Sequence, residues 1–90
     1  MTRCFVLIET AVGKNIEVID YLKKLKGIDS VDTVTGPYDI IVVADTENLN
    51  DISELVTSKV HKMPSITRTI TCLSIASSKG KNIKQPIKIF

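Results

Sequence analysis

Residues Val34 to Asp45 read VTGPYDIIVVAD, a turn of Gly36, Pro37, Tyr38 and Asp39 set directly against an apolar run from Ile40 to Ala44. Pro at the second place of a turn with Asp close by is ordinary turn chemistry. The run behind it lacks the alternation of a strand with one wet face, which implies that both of its faces are covered. Upstream, Val31–Thr35 is a β-branched strand and Asp39–Asp45 the next, so the turn closes a hairpin.

Outward from the hairpin the period changes. Between Lys14 and Lys26, Val18, Leu22 and Leu25 share one side at 100° per residue, Ile19 and Tyr21 flank them, and Gly27 is placed to stop the helix. On the other side Asn48 with Asp51 forms a capping pair, and Leu49, Ile52, Val56, Val60 and Met63 recur at helical spacing until Pro64. Strands at Arg3–Thr10 and Thr67–Ile75 complete the order β-α-β-β-α-β. A weak internal echo, Asp32-Thr33-Val34-Thr35 against Arg68-Thr69-Ile70-Thr71, implies two βαβ halves. The expected fold is therefore an α+β ferredoxin-like sandwich. Right-handed crossovers then put both helices on one face of a four-stranded sheet, leaving the other face apolar and bare. A two-fold homodimer through that sheet face is expected, in the manner of dimeric α/β-barrel proteins.

The chain has 90 residues, enough for one core. It is 43% hydrophobic and 4% aromatic, without Trp, a composition that excludes wholesale disorder. The net charge of +2 conceals a division: residues 1–76 carry eight basic and ten acidic side chains, whereas Ser77–Phe90 carry four lysines and no acid. A basic face on the folded elements is thus lacking, and only the tail SSKGKNIKQPIKIF is a candidate for phosphate contact. A solvated or subunit-wrapping tail is the preferred reading, and neither nucleic acid nor membrane is an expected partner. Cys4 and Cys72 lie in apolar stretches without the spacing of a zinc or redox motif and read as reduced core thiols. No signal peptide or membrane-length apolar run is present, so a cytoplasmic location is expected.

Catalytic material is scarce. His61 falls on the outer side of the second helix and reads as solvated, and no acid pair, nucleophile–base set or metal-ligand spacing is present. No catalysis and no cofactor are expected. What remains suits a small zwitterion: Gly36 lets a ligand approach backbone N–H groups, Asp39 can accept from an ammonium, and Tyr38 offers a ring and a hydroxyl. Thr67, Thr69 and Thr71 line one face of the last strand, with Arg68 on the other.

The element order, the VTGPYDIIVVAD turn and strand, and the KVHKMPSITRTITCLSI close together resemble the C-terminal ligand-sensing (RAM) domain of the Lrp/AsnC family of feast/famine regulators. The resemblance covers Arg3 to Ala76, giving a sensing domain at residues 1–76 and a basic tail at 77–90. Full-length members begin with a helix-turn-helix domain. Here Met1 runs at once into the first strand, as in the stand-alone form.

The resemblance implies a non-enzymatic amino-acid sensor and oligomerisation module that modulates transcription by co-assembly with full-length regulators. It also implies dimers joined into octameric or decameric rings, with amino acids held in clefts between dimers. The turn Gly36, Pro37, Tyr38 and Asp39 would hold the charged end of the amino acid, and Thr67 and Thr69 would complete the pocket, from a neighbouring dimer. A monooxygenase-like dimeric α/β-barrel enzyme shares the architecture, but it would need a buried His, Trp or acid where this chain has aliphatic residues. A purely structural module that has lost its ligand is the other alternative.

Overall fold

Opposed pairs across the two central strands set the interior: Val6 faces Val42, Ile8 faces Ile40 and Cys4 faces Ala44, and all six are fully buried. The computed structural model describes residues 1–76. Its elements run β1 (Thr2–Thr10), α1 (Asn15–Lys23), β2 (Ile28–Thr33), β3 (Ile40–Thr46), α2 (Leu49–Glu54), continued as a π-helical segment over Leu55–Val60, and β4 (Ile66–Leu73). The strands form one antiparallel sheet in the order β2-β3-β1-β4. This is the α+β ferredoxin-like arrangement, with β1 and β3 central and the last strand of each βαβ half at an edge. The basic tail lies outside the described residues.

Alternation places the even-numbered residues of β1 and β3 against the helices. Val18 and Leu22 of α1, Ile52 of α2, and Leu55 and Val60 of the π segment close over them in a single core. Each fully buried Ile, Leu or Val contributes about 1.5–3 kcal/mol, which makes this layer the main source of stability. Helix α1 is shorter than the expected Lys14–Lys26, because the chain tightens into a turn in which the Leu25 N–H donates to Leu22 O at 3.1 Å. Gly27 then takes φ +95°, a left-handed conformation suited to glycine, and stops the helix as its place in the sequence predicts.

Helix α2 begins as expected, with the Asp51 N–H donating to Asn48 Oδ1 at 3.0 Å. Its second half departs from the expected single α-helix running to Pro64. The His61 N–H donates to Val56 O at 3.0 Å, a five-residue step that widens the coil. Wider turns carry Leu55 and Val60 to the same buried side, while Val56, expected inward, is only half-buried. Tyr21 Oη donates to Lys59 O at 2.6 Å and ties α1 to this segment.

Strand β2 starts at Ile28 rather than Val31, since a register shift between Ile28 and Ser30 extends its pairing. Val34 and Thr35 belong to the turn instead, where the Val34 N–H donates to Asp39 O at 2.9 Å.

The odd-numbered residues of β1 and β3 face away from the helices, together with the β4 residues paired with them. Phe5, Leu7, Ile41, Val43 and Ile70 form the middle of this face, with Phe5 37% and Ile70 40% exposed. Cys72 lies opposite Phe5 and is exposed, so of the two cysteines expected in the core only Cys4 is there. Burial pushes the Cys4 thiol above its ordinary range. At one end of the face the Arg3 guanidinium grips Asp45 with two of its nitrogens, Nε donating to Oδ1 at 2.8 Å and Nη2 to Oδ2 at 2.9 Å, with Asp29 at 3.9 Å. No described helix is long and apolar enough to cross a membrane.

Candidate functional site

The turn before β3 is braced from both sides. The Asp39 N–H donates to Ile8 O at 2.9 Å, and its Oδ2 accepts from the Thr10 N–H at 2.9 Å. Pairing between β1 and β4 slips between Glu9 and Thr10, and the carboxylate reaches the amide at that irregularity. The Thr10 hydroxyl donates onward to Asn15 Oδ1 at 3.0 Å, linking the turn to the first residue of α1. Asp39 is therefore first a clamp between the turn and β1. One of its oxygens, Oδ1, is left for any other partner.

Gly36 lies exposed at the tip with φ +155° and nothing within 4 Å of where a Cβ would stand, so its backbone is open to an approaching group. Pro37 is exposed beside it. Tyr38 turns back onto the sheet, and the Arg68 guanidinium lies 5.6 Å from its ring centroid.

The two threonines do not share a surface. The slip at Glu9 and Thr10 breaks the expected row: the Thr67 hydroxyl donates to Glu9 Oε1 at 2.9 Å and lies 3.1 Å from Glu9 O, at the same end of the sheet as the turn. Thr69 instead faces the helical layer, where its Oγ1 sits 2.6 Å from His61 Nε2. His61 is exposed, as expected, yet it is anchored to β4 rather than merely solvated. One chain thus brings Gly36, Pro37, Tyr38, Asp39 and Thr67 to one end of the molecule and leaves Thr69 on the other side of the sheet.

Nothing in the sequence picks out Glu9, and His61 and Arg68 are marked there only as a solvated helix residue and as the residue facing away from the threonines, not as members of the site. The alternation of β4 does place Arg68 on the face away from the helices. Its neighbours there depend on a strand pairing across 59 residues, which local pattern does not reveal.

A larger hollow of about 450 Å³ opens at the far end of the sheet, where Asp45, Glu47 and Glu54 mix with Lys26 and Lys59. It contains none of the six candidate residues. A shallower groove of about 240 Å³ runs between Leu49 and Val56 on one side and Thr71 and Leu73 on the other. Among the described residues no cluster of His, Cys, Asp or Glu could hold a metal ion.

A ferredoxin-like sheet with a braced, glycine-tipped turn beside Thr67 and Arg68 of β4 defines a class of small ligand-binding domains. Residues 3–83 match the family model of the Lrp/AsnC ligand binding domain, and the chain belongs to that family. Among solved structures it is similar to FFRP-DM1, at 37% identity and TM-score 0.81, covering 83% of this chain and all of that one. A hypothetical protein from Pyrococcus horikoshii is 36% identical with TM-score 0.80, covering 86% and 93% of the two chains. The fold also matches AsnC of Escherichia coli, at 18% identity and TM-score 0.84, over 93% of this chain but 57% of that one. No curated protein sequence matches the chain. The family is one of regulatory ligand-binding domains, so ligand sensing is its general business.

Proposed function

We propose that this chain is an amino-acid-sensing and oligomerisation module acting from the cytoplasm on Lrp/AsnC-type transcription regulators by co-assembly. The observation that carries the reading is the braced turn. With Asp39 tied to Ile8 and Thr10, and the Val34 N–H donating to Asp39 O, the base of the turn is fixed, and the Gly36 backbone stands open at its tip to the charged end of a small molecule. A transcriptional regulator from Neisseria meningitidis that shares the fold, at 15% identity, was solved as a complex with L-Met, which supports an amino acid as the class of ligand.

Within this reading Gly36, Pro37, Tyr38 and Asp39 hold the ligand, Thr67 adds a hydroxyl from the same end, and Thr69 serves the pocket of a neighbouring dimer. Residues 1–76 form the sensing domain and 77–90 a basic extension. The bare sheet face takes a second copy of the chain, since Phe5, Leu7, Ile41, Val43 and Ile70 make an apolar centre with charged residues at both ends. Such dimers then join into rings of eight or ten chains. A ligand at a joint between dimers changes assembly only by binding one arrangement more tightly than another.

Calorimetric titration with each of the twenty amino acids, paired with sedimentation before and after addition, tests the reading. Heat of binding for one or a few amino acids, with a change in assembled size, is the expected result. No heat with any of them and an unchanged size overturns it.

A further inference from the structure

The open face carries two opposite charges that stand side by side without joining. Glu9 of β1 and Arg68 of β4 are direct cross-strand partners, so their side chains leave the same face at neighbouring points. Among the described residues Arg68 nevertheless enters no ion pair, and neither does Glu9. Each is occupied by a different neighbour. The guanidinium lies on the ring of Tyr38, which leaves its N–H edge unspent, and the half-buried Glu9 carboxylate is fixed through Oε1 by the Thr67 hydroxyl, which leaves Oε2 unspent. Tyr38 belongs to the same turn as Gly36 and Asp39, so the two charges stand at the turn already described.

We propose that Arg68 and Glu9 are the receiving pair for the ligand's two charges, the guanidinium taking the α-carboxylate and Glu9 Oε2 the α-ammonium. The proposal rests on the amino-acid-sensing reading and assigns to it two residues and a rule of selection. A guanidinium lying on an aromatic ring keeps its planar fork free for a carboxylate. An α-amino acid carries both of its charges on one carbon, matching two groups on adjacent strands. A simple amine or a simple carboxylic acid satisfies only half of the pair. Arg68 is exposed and Glu9 half-buried, neither enters an ion pair, and a glutamine at position 9 still offers Oε1 to the Thr67 hydroxyl, so Arg68→Gln and Glu9→Gln are expected to leave the domain folded.

The test uses the full chain and the tightest-binding of the twenty L-amino acids, together with the methyl ester and the N-acetyl derivative of that amino acid. Arg68→Gln is expected to weaken the free amino acid about tenfold or more, and to abolish the preference for it over its methyl ester. Glu9→Gln is expected to do the same for the preference over the N-acetyl derivative. Sedimentation of both variants is expected to match the parent chain.

Unchanged affinity in both variants, with the parent chain binding well, sinks this assignment and leaves the sensing reading standing. Weaker binding with both preferences intact, or an altered assembly size, also sinks it, because the pair then serves structure or the joint between subunits. A parent chain that binds no amino acid removes the sensing reading and this one with it.

Discussion

Strands β1 and β3 feed two faces of the same sheet with similar side chains, and the faces end in different surroundings. Toward the helices, Cys4, Val6, Ile8, Ile40, Val42 and Ala44 are sealed from water by Val18, Leu22, Ile52, Leu55 and Val60. On the opposite side Leu7, Ile41 and Val43 are half-buried by their own neighbours, and Phe5 and Ile70 remain more than a third exposed. The difference lies in what covers the residues and not in their chemistry. An unbroken apolar strand therefore offers two faces for covering, of which the described residues seal one.

Substitutions that separate the two faces sharpen the comparison. Ile8→Ala removes a fully buried side chain beneath the helices and is expected to cost about 2–5 kcal/mol in urea unfolding. Leu7→Ala, one residue away on the open face, is expected to cost distinctly less when measured at concentrations where the chain is monomeric. Equal losses at the two positions would break the comparison.

Ile70→Lys is expected to leave the circular dichroism of the fold unchanged while converting the sedimenting species to a monomer. Retention of the parent size would show that chains do not join through this face.

The smallest effect is electrostatic. A hydrogen bond from Arg3 holds the Asp45 carboxyl below its ordinary value of 3.8. A carboxylate whose folded-state value is depressed adds stability above that ordinary value and loses it as pH falls through the folded one. Asp45→Asn is thus expected to lower stability slightly at neutral pH, with the gap from the parent chain closing in acid below 3.8. A gap that persists at low pH, followed by denaturant unfolding across the range, would assign the effect to packing instead.

Much of the fold is legible in local pattern. The hairpin around Gly36, the stripe of Val18 and Leu22, the cap at Asn48 and the stop at Gly27 each follow from a few adjacent residues and reappear in the structure. What escaped notice depends on partners distant in the chain. The slip at Glu9 and Thr10 is tied to Asp39, 29 residues beyond Thr10, and it parts Thr67 from Thr69 and Thr71, which strict alternation would align with it. His61 looks solvated on a helical wheel because the wheel assumes an α period, whereas the π segment turns it toward Thr69.

The same holds for the candidate site. Turn chemistry points to Gly36, Pro37, Tyr38 and Asp39, but the bracing role of Asp39 and the placing of Arg68 over Tyr38 require the assembled sheet.

The wide-turned segment from Leu55 to Val60 has a further consequence for chain length. A coil with five-residue steps holds one residue more than an α-helix needs to cover the same rise, so this stretch is where the domain can absorb a deletion. Without the exposed Ser58, the helix could close as a continuous α-helix from Leu49 onward. It would then have to surrender either the burial of Val60 or the grip of His61 on β4, since both now draw on the surplus residue. Shorter versions of the domain should therefore differ first along the edge where that helix meets β4, with the central strands unaltered.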